Sequence, residues 1–289
     1  MKYVPCAKPA DPLEGHTLLL PIISTGNVGQ LCVDLLLASA YSSGKPIKKL
    51  GYLDTPLLLP AVGYEVYPGQ APRLSTNLEL FLIGSNIAVL QQRSPAAEGK
   101  EEEFCKQLMA WAKDAGIKEV VGLVGADDSA AATGGEPGSL HYFASHPSAE
   151  LTQKVKALGI PELSLNTSNS TCGLDRLGGS MGAGSMGMLA VELGHANWTG
   201  EAVPGDCNSF PFGTGCLMHL VSSASGAGRE FFALVMPCGE GDSTPVAAAL
   251  AQVCNSVVGE GALGTEGGWA APLSWNSLYG AAPSAHTFT

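Results

Sequence analysis

The sequence predicts an α/β domain built on a mixed sheet with crossover helices. Three observations carry that expectation. The stretch from Leu18 to Ala40 reads as an apolar strand, a glycine turn and an apolar helix. Leu78 to Ile83 and Ile87 to Gln92 are apolar runs on either side of Gly84-Ser85-Asn86, the pattern of an antiparallel hairpin. A helical pattern from Glu101 then leads directly into a strand at Glu119 to Val124, so helices alternate with buried strands.

Each element has a local reason. The run before Gly26 is short and dense in aliphatic residues, which suits a strand covered on both faces, and Gly26 and Gly29 let the backbone reverse where a β-carbon would clash. Val28, Leu31, Cys32, Leu35 and Ala38 then recur at helical spacing, so that segment packs back on the sheet. Ile47 to Leu53 reads as a further strand, and Leu57, Leu58 and Leu59, held between Pro56 and Pro60, suit an edge or a loop. From Glu101, Phe104, Leu108, Trp111, Ala112 and Ala115 follow a 3.6-residue period, acids fill the first turn, and Gly116 stands where such a helix ends.

Gly125 to Gly138 offers almost nothing to bury and reads as a surface loop, and Ala149 to Leu158 as a short helix. Asn166 to Ser170 and Gly178 to Gly187 form a low-complexity tract, expected as a mobile Gly/Ser-rich insertion near 166–205. Phe210 to Gly215 is a second glycine turn ahead of an apolar segment, Cys216 to Val221, and Phe231 to Met236 is another strand. Glu240 to Pro245 signals a helix start, with Ser243 or Thr244 as N-cap, and Val246, Leu250, Val253 and Val257 supply its buried stripe. Residues 1–258 are thus expected as one α/β domain, followed by an extended tail, 259–289, with a short turn around Trp275, Leu278 and Tyr279.

Composition narrows the function. The 289 residues carry 15 Lys and Arg against 26 Asp and Glu, a net charge of −11, which repels phosphate backbones and argues against nucleic acid or an anionic membrane as partner. No apolar run reaches the ~18 residues of a membrane span, and no signal-peptide core follows Lys2, so cytoplasm and nucleus are the expected locations. Eight cysteines are scattered without a C-x-x-C pair, and no histidine doublet stands at metal spacing; they read as reduced thiols, mostly buried, with no metal or cofactor implied.

Several short motifs invite chemistry. Gly178-Gly179-Ser180-Met181-Gly182 matches the nucleophile elbow, and Gly182-x-Gly184-x-x-Gly187 the dinucleotide fingerprint, but neither follows an apolar strand and both read as composition. Gly26-Asn27-Val28-Gly29 has the better context, because a helix start after a strand offers free N–H groups to an anion. The competing reading is a tight turn without ligand, favoured by the lack of any basic residue within ten positions. The six histidines are dispersed and propose no catalytic pair. Arg93 is either functional or the solvated end of the hairpin; Asp34 is either exposed on its helix or a buried group with a partner, and the helical wheel favours exposure or an interface.

Together these stretches resemble a known family, the proteasome assembly chaperones of the PAC2 family. The resemblance rests on Tyr3-Val4-Pro5-Cys6, on Gly26-Asn27-Val28-Gly29-Gln30-Leu31 with Asp34-Leu35, on Ile47 to Tyr52, and on Gln91 to Ser94. It continues through Phe104-Cys105 and Trp111, Gly213 to Gly215, Glu240-Gly241-Asp242, and Ser274-Trp275 with Leu278 to Gly280. It implies a three-layer α/β/α fold similar to nucleoside phosphorylases, without their catalytic residues. It also implies a non-enzymatic chaperone that pairs with a distinct subunit, proteasome assembly chaperone 1, and holds proteasome α subunits while their ring assembles. In this family C-terminal residues dock between α subunits, and the matching positions here are Thr287, Phe288 and Thr289, with Phe288 in place of the usual tyrosine. Asn27, Val28 and Gln30 of the family motif are candidate interface residues. The alternative is a phosphorylase or nucleosidase that binds phosphate at the Gly26 to Gly29 turn.

Overall fold

The apolar run ahead of Gly26 lies in the middle of an eight-stranded sheet. The computed structural model describes residues 1–8, 11–128, 139–145, 148–163, 210, 213–239, 241–259, 263 and 268–277. In chain order the elements are β1 (Lys2–Pro5), β2 (Thr17–Pro21), α1 (Val28–Ser42), β3 (Ile47–Asp54), β4 (Val62–Glu65), β5 (Arg73–Thr76), β6 (Leu78–Ile83) and β7 (Ile87–Gln92). There follow α2 (Glu101–Asp114), β8 (Glu119–Asp127), β9 (His141–Ser145), α3 (Ala149–Ala157), α4 (Leu217–Ala227), β10 (Phe231–Cys238) and α5 (Thr244–Val257).

The strand order is β1-β3-β6-β7-β2-β8-β10-β9, and β4 and β5 form a separate two-stranded ribbon. The four central strands β7, β2, β8 and β10 are parallel, while β1, β3, β6 and β9 pair antiparallel. This is the mixed sheet the sequence predicts. Parallel strands need covered faces, and their side chains alternate accordingly. Leu19, Val89, Val121, Leu123, Phe232 and Leu234 share a core with α1, α3 and α5. Leu18, Leu20, Val120, Val124, Phe231 and Val235 are also buried and alternate with them, which places them on the opposite face with the packed pair α2 and α4. Helices on both faces make three layers.

Helix α1 is buried along nearly its whole length: Val28 to Gln30 and Cys32 to Ala40 are covered. An amphipathic stripe is therefore the wrong description; a helix apolar all round is a central one. The sheet lies against it, α5 packs beside it, and Trp269, Ala270 and Trp275 join the same core, with the Ala270 amide donating to Ser39 Oγ at 2.9 Å.

Several expectations need correction. Gly125 to Asp127 continue β8 because they pair with Met236 to Cys238, so a surface loop begins no earlier than Asp128; 129–138 lie outside the described residues. In α5 the buried line is Ala247, Leu250, Ala251, Cys254 and Val257, while Val246 and Val253 are only partly covered, since the helix is rotated to seat its small residues on α1. Ser243 occupies the N-cap position but turns its hydroxyl inward to Cys238 Sγ at 3.5 Å, and the Asp242 carboxylate accepts the Thr244 amide at 2.8 Å in its place. The low-complexity tract, the elbow-like and fingerprint-like motifs, Cys172, Cys207 and the last residues from Leu278 onward lie outside the described residues. Strands β1, β4, β5 and β9 are additions that the sequence reading lacked.

Candidate functional site

In parallel α/β sheets ligands are taken at the carboxyl ends of the strands, beside a switch in strand order. Here β2, flanked by β7 and β8, delivers the Gly26 to Gly29 turn to that rim. Gly26 has φ +67° and Asn27 φ 49°, two left-handed residues in succession, which a glycine and an asparagine adopt at least cost.

Neighbouring segments pack closely against the turn, while Gly26 and Asn27 themselves stay exposed. The Thr25 amide donates to Gly213 O at 2.8 Å, and Ser24 Oγ accepts the Gly125 amide at 2.8 Å. A β-carbon at Gly125 would overlap the Thr25 carbonyl, one at Gly213 the Thr25 hydroxyl, and one at Gly215 the Ile23 carbonyl. At Gly26 it would strike Cys238 Sγ and Ser243 Oγ. Glycines from three separate segments are thus used to bring chain against chain.

Of the family-motif residues, Asn27 is exposed, Val28 is fully buried and Gln30 nearly so. Among the described residues neither polar atom of the Gln30 side chain has a hydrogen-bond partner. Thr287, Phe288 and Thr289 lie outside the described residues. The cysteines among the described residues are free thiols, Cys6 exposed and Cys32, Cys105, Cys238 and Cys254 buried.

Next to this turn the structure gathers charges that are far apart in sequence. Arg93, just past β7, makes a two-pronged ion pair with Asp34 of α1, at 2.9 and 2.8 Å, and also pairs with Glu65 of β4. Glu65 accepts further bonds from Arg73 of β5 at 2.9 Å and from the Tyr67 hydroxyl at 3.1 Å. Gln91 Nε2 donates to Asp34 Oδ1 at 2.6 Å. Arg73 lies over the rings of Phe81, Tyr67 and Tyr41, its guanidinium carbon 4.9, 5.4 and 6.0 Å from their centroids, an arrangement that favours a desolvated cation. Asp34 is therefore buried with a partner, and the exposed-face reading of it is wrong: the helical wheel does not register a ribbon lying over that side of α1.

The cluster is balanced, two arginines against two carboxylates. Burial pushes the Glu65 carboxyl upward, but the Arg93 and Arg73 guanidiniums more than offset it and hold it below its ordinary value. Burial likewise works against the Arg93 cation, and Asp34 and Glu65 outweigh it, so its pKa is raised and it stays charged. Glu65 thus stabilises the fold fully above its ordinary value of 4.5 and loses that contribution as pH falls below it. Urea midpoints are expected to drop on acidification below 4.5, and Glu65→Gln to flatten that slope; a slope identical in the variant would refute the assignment.

Chemically the arrangement is a clamp. Arg93 joins helix, sheet and ribbon, and both Arg93 and Arg73 are committed to carboxylates. Of the ribbon, the turn is legible in the sequence: Pro68-Gly69 is a turn dipeptide, and the Gln70 amide bonds Tyr67 O at 3.0 Å with Gly69 at φ +71°.

The sequence pattern of the PAC2 family matches residues 18–168, just over half of the chain and all four charged members of the clamp. The chain belongs to the PAC2 family. Among PAC2-family relatives, proteasome assembly chaperone 2 of Homo sapiens is 38% identical over 125 residues, 42% of this chain and 46% of that protein. The chaperone of the same name from Nematostella vectensis is 34% identical over 170 residues, 56% of this chain and 68% of the relative. The match thus spans about half the length of the human relative. The fold is shared with solved structures, two of them archaeal proteins. Pyrococcus furiosus PbaA, described as an archaeal homolog of proteasome-assembly chaperone, aligns with a TM-score of 0.53 at 17% identity, covering 87% of this chain and 84% of its own. PbaB, described as an archaeal proteasome activator, gives 0.52 at 13% identity over 89% and 88%. At such identities the likeness concerns fold alone.

Proposed function

We propose that this PAC2-family chain is a non-enzymatic chaperone for assembly of the proteasome α ring. It acts as a heterodimer with proteasome assembly chaperone 1 and docks on α subunits partly through Thr287, Phe288 and Thr289. The observation that carries the reading is the kinship with relatives named proteasome assembly chaperone 2, at 34 to 38% identity. The pairing of Arg93 and Arg73 with carboxylates supports it against a phosphorylase reading, because neither guanidinium is left over for a phosphate at the Gly26 to Gly29 turn. Cytoplasm and nucleus are the proposed locations.

The tail gives the reading its mechanism. The aromatic side chain of Phe288 offers an anchor for a pocket between ring subunits. The test is affinity purification of the tagged full chain from cells with identification of bound proteins, expected to yield both chaperone 1 and α subunits. Removal of Phe288 and Thr289 is expected to weaken α-ring binding and leave the heterodimer intact. Unchanged ring affinity would sink the tail assignment, and recovery of neither partner would sink the function. Titration with inorganic phosphate is expected to give no saturable signal at Gly26 to Gly29.

A further inference from the structure

The β4–β5 ribbon is built inside out. Its register pairs Val62 with Thr76, Tyr64 with Leu74, and Glu65 with Arg73. Alternation then puts Val62, Tyr64 and Leu74 on one face, and Gly63, Glu65, Arg73 and Ser75 on the other. The charged face is the one turned inward: Glu65 and Ser75 are buried, with Glu65 in the clamp with Arg93. The apolar face is turned outward, with Val62 74%, Tyr64 73% and Leu74 59% exposed. Leu59, before the ribbon, is also exposed, as is Leu273, whose amide donates to Val66 O at 3.0 Å at the end of β4.

Such a face is costly to leave bare. Val62, Tyr64 and Leu74 together present on the order of 400 Å² of side-chain surface, as large as the biggest apolar patch of a typical monomer. That is about half of the ~800 Å² each partner contributes to a stable pair. The face carries no charge although the chain carries −11, so it suits an uncharged apolar surface and neither a basic protein patch nor a phosphate-bearing one. A second copy would bring a further −11, whereas a different subunit need not, so self-repulsion disfavours self-pairing. Beneath it, the ion clamp fixes the ribbon in place, so little ordering entropy remains to be lost on binding.

We propose that the outer face of the β4–β5 ribbon is the surface covered by the second subunit of the heterodimer, which receives Tyr64 in an uncharged apolar pocket. The inference rests on the heterodimer reading given above. Two measurements on the full-length chain test it. In the first, Tyr64→Asp is expected to weaken association with purified chaperone 1 by roughly tenfold or more, and Tyr64→Phe by far less, as for a buried aromatic anchor. Since Tyr64 is exposed in the isolated chain, its melting temperature should not move. In the second, hydrogen exchange of residues 62–76 in the wild-type chain should slow on adding chaperone 1.

Failure takes distinguishable forms. A wild-type complex that survives Tyr64→Asp at full affinity, with protection falling elsewhere, overturns the ribbon as the interface and leaves the function standing. Absence of any wild-type complex overturns both. Self-association abolished by Tyr64→Asp, or loss of α-ring binding with the heterodimer intact, assigns the face to another occupant and overturns the inference.

Discussion

Arg93→Ala is expected to lower the unfolding free energy by about 3–5 kcal/mol, the cost of breaking a buried charge cluster by removing one member. Without the guanidinium, Asp34 and Glu65 face each other across a covered site, with Gln91, Tyr67 and Arg73 as remaining donors. The loss should be read from urea midpoints at an unchanged slope. Arg93→Lys is expected to recover only part of it, because an ammonium cannot reproduce the two-pronged pair with Asp34 while also reaching Glu65. A double-mutant cycle between Arg93→Ala and Asp34→Asn should return a coupling on the order of 0.5–3 kcal/mol. A loss below about 1 kcal/mol, the range of exposed pairs, would mean that water reaches the carboxylates and that the clamp contributes little. The ribbon should loosen before the sheet does, since Arg93 and Glu65 tie it to α1 and β7.

Gly29→Ala is the second large effect. In an ordinary helix the change stabilises by about 1 kcal/mol, because alanine is the better helix former. Here a β-carbon would overlap the carbonyl oxygen of Leu123 in β8, and that oxygen already accepts the Ile22 amide at 2.9 Å. Neither neighbour is a flexible side chain, so α1 or β8 must shift. The expected net result is destabilisation by about 1–3 kcal/mol, the usual cost of overpacking. Gly44→Ala is the control for backbone conformation alone: Gly44 has φ +67° and open space around it, so only strain at a left-handed position is tested there. A Gly29→Ala protein more stable than wild type would contradict the close packing of α1 on β8.

Much of this architecture is legible from local pattern. The hairpin of β6 and β7, with its Gly84-Ser85-Asn86 turn, and helix α2 fall where periodicity and turn chemistry put them. Strands β2, β8 and β10 announce themselves as apolar runs because both of their faces are buried. The four-residue strands β4 and β5 do not, being too short for a period-2 signal and reversed in polarity by the charges beneath them. Arg93 illustrates the same limit at one residue. Its neighbours suggest the end of a hairpin, and nothing near it names Asp34, fifty-nine positions away, or Glu65, twenty-eight away, as partners.

By itself the sequence determines the class of fold, the strand–turn–helix at Leu18 to Ala40 and the family. The fold class and that unit follow from side-chain spacing and backbone requirements that act over a few residues, such as the glycines at 26 and 29; the family follows from resemblance of motifs along the chain. Tertiary structure alone decides that Gly125, Gly213 and Gly215 come against Ile23 and Thr25 beside that turn, that Asp34 is buried against Arg93, and that Val62, Tyr64 and Leu74 point outward. Those outcomes depend on which segments meet through space, and the strength of a charge pair or the exposure of an apolar side chain is set by that meeting rather than by the residue itself.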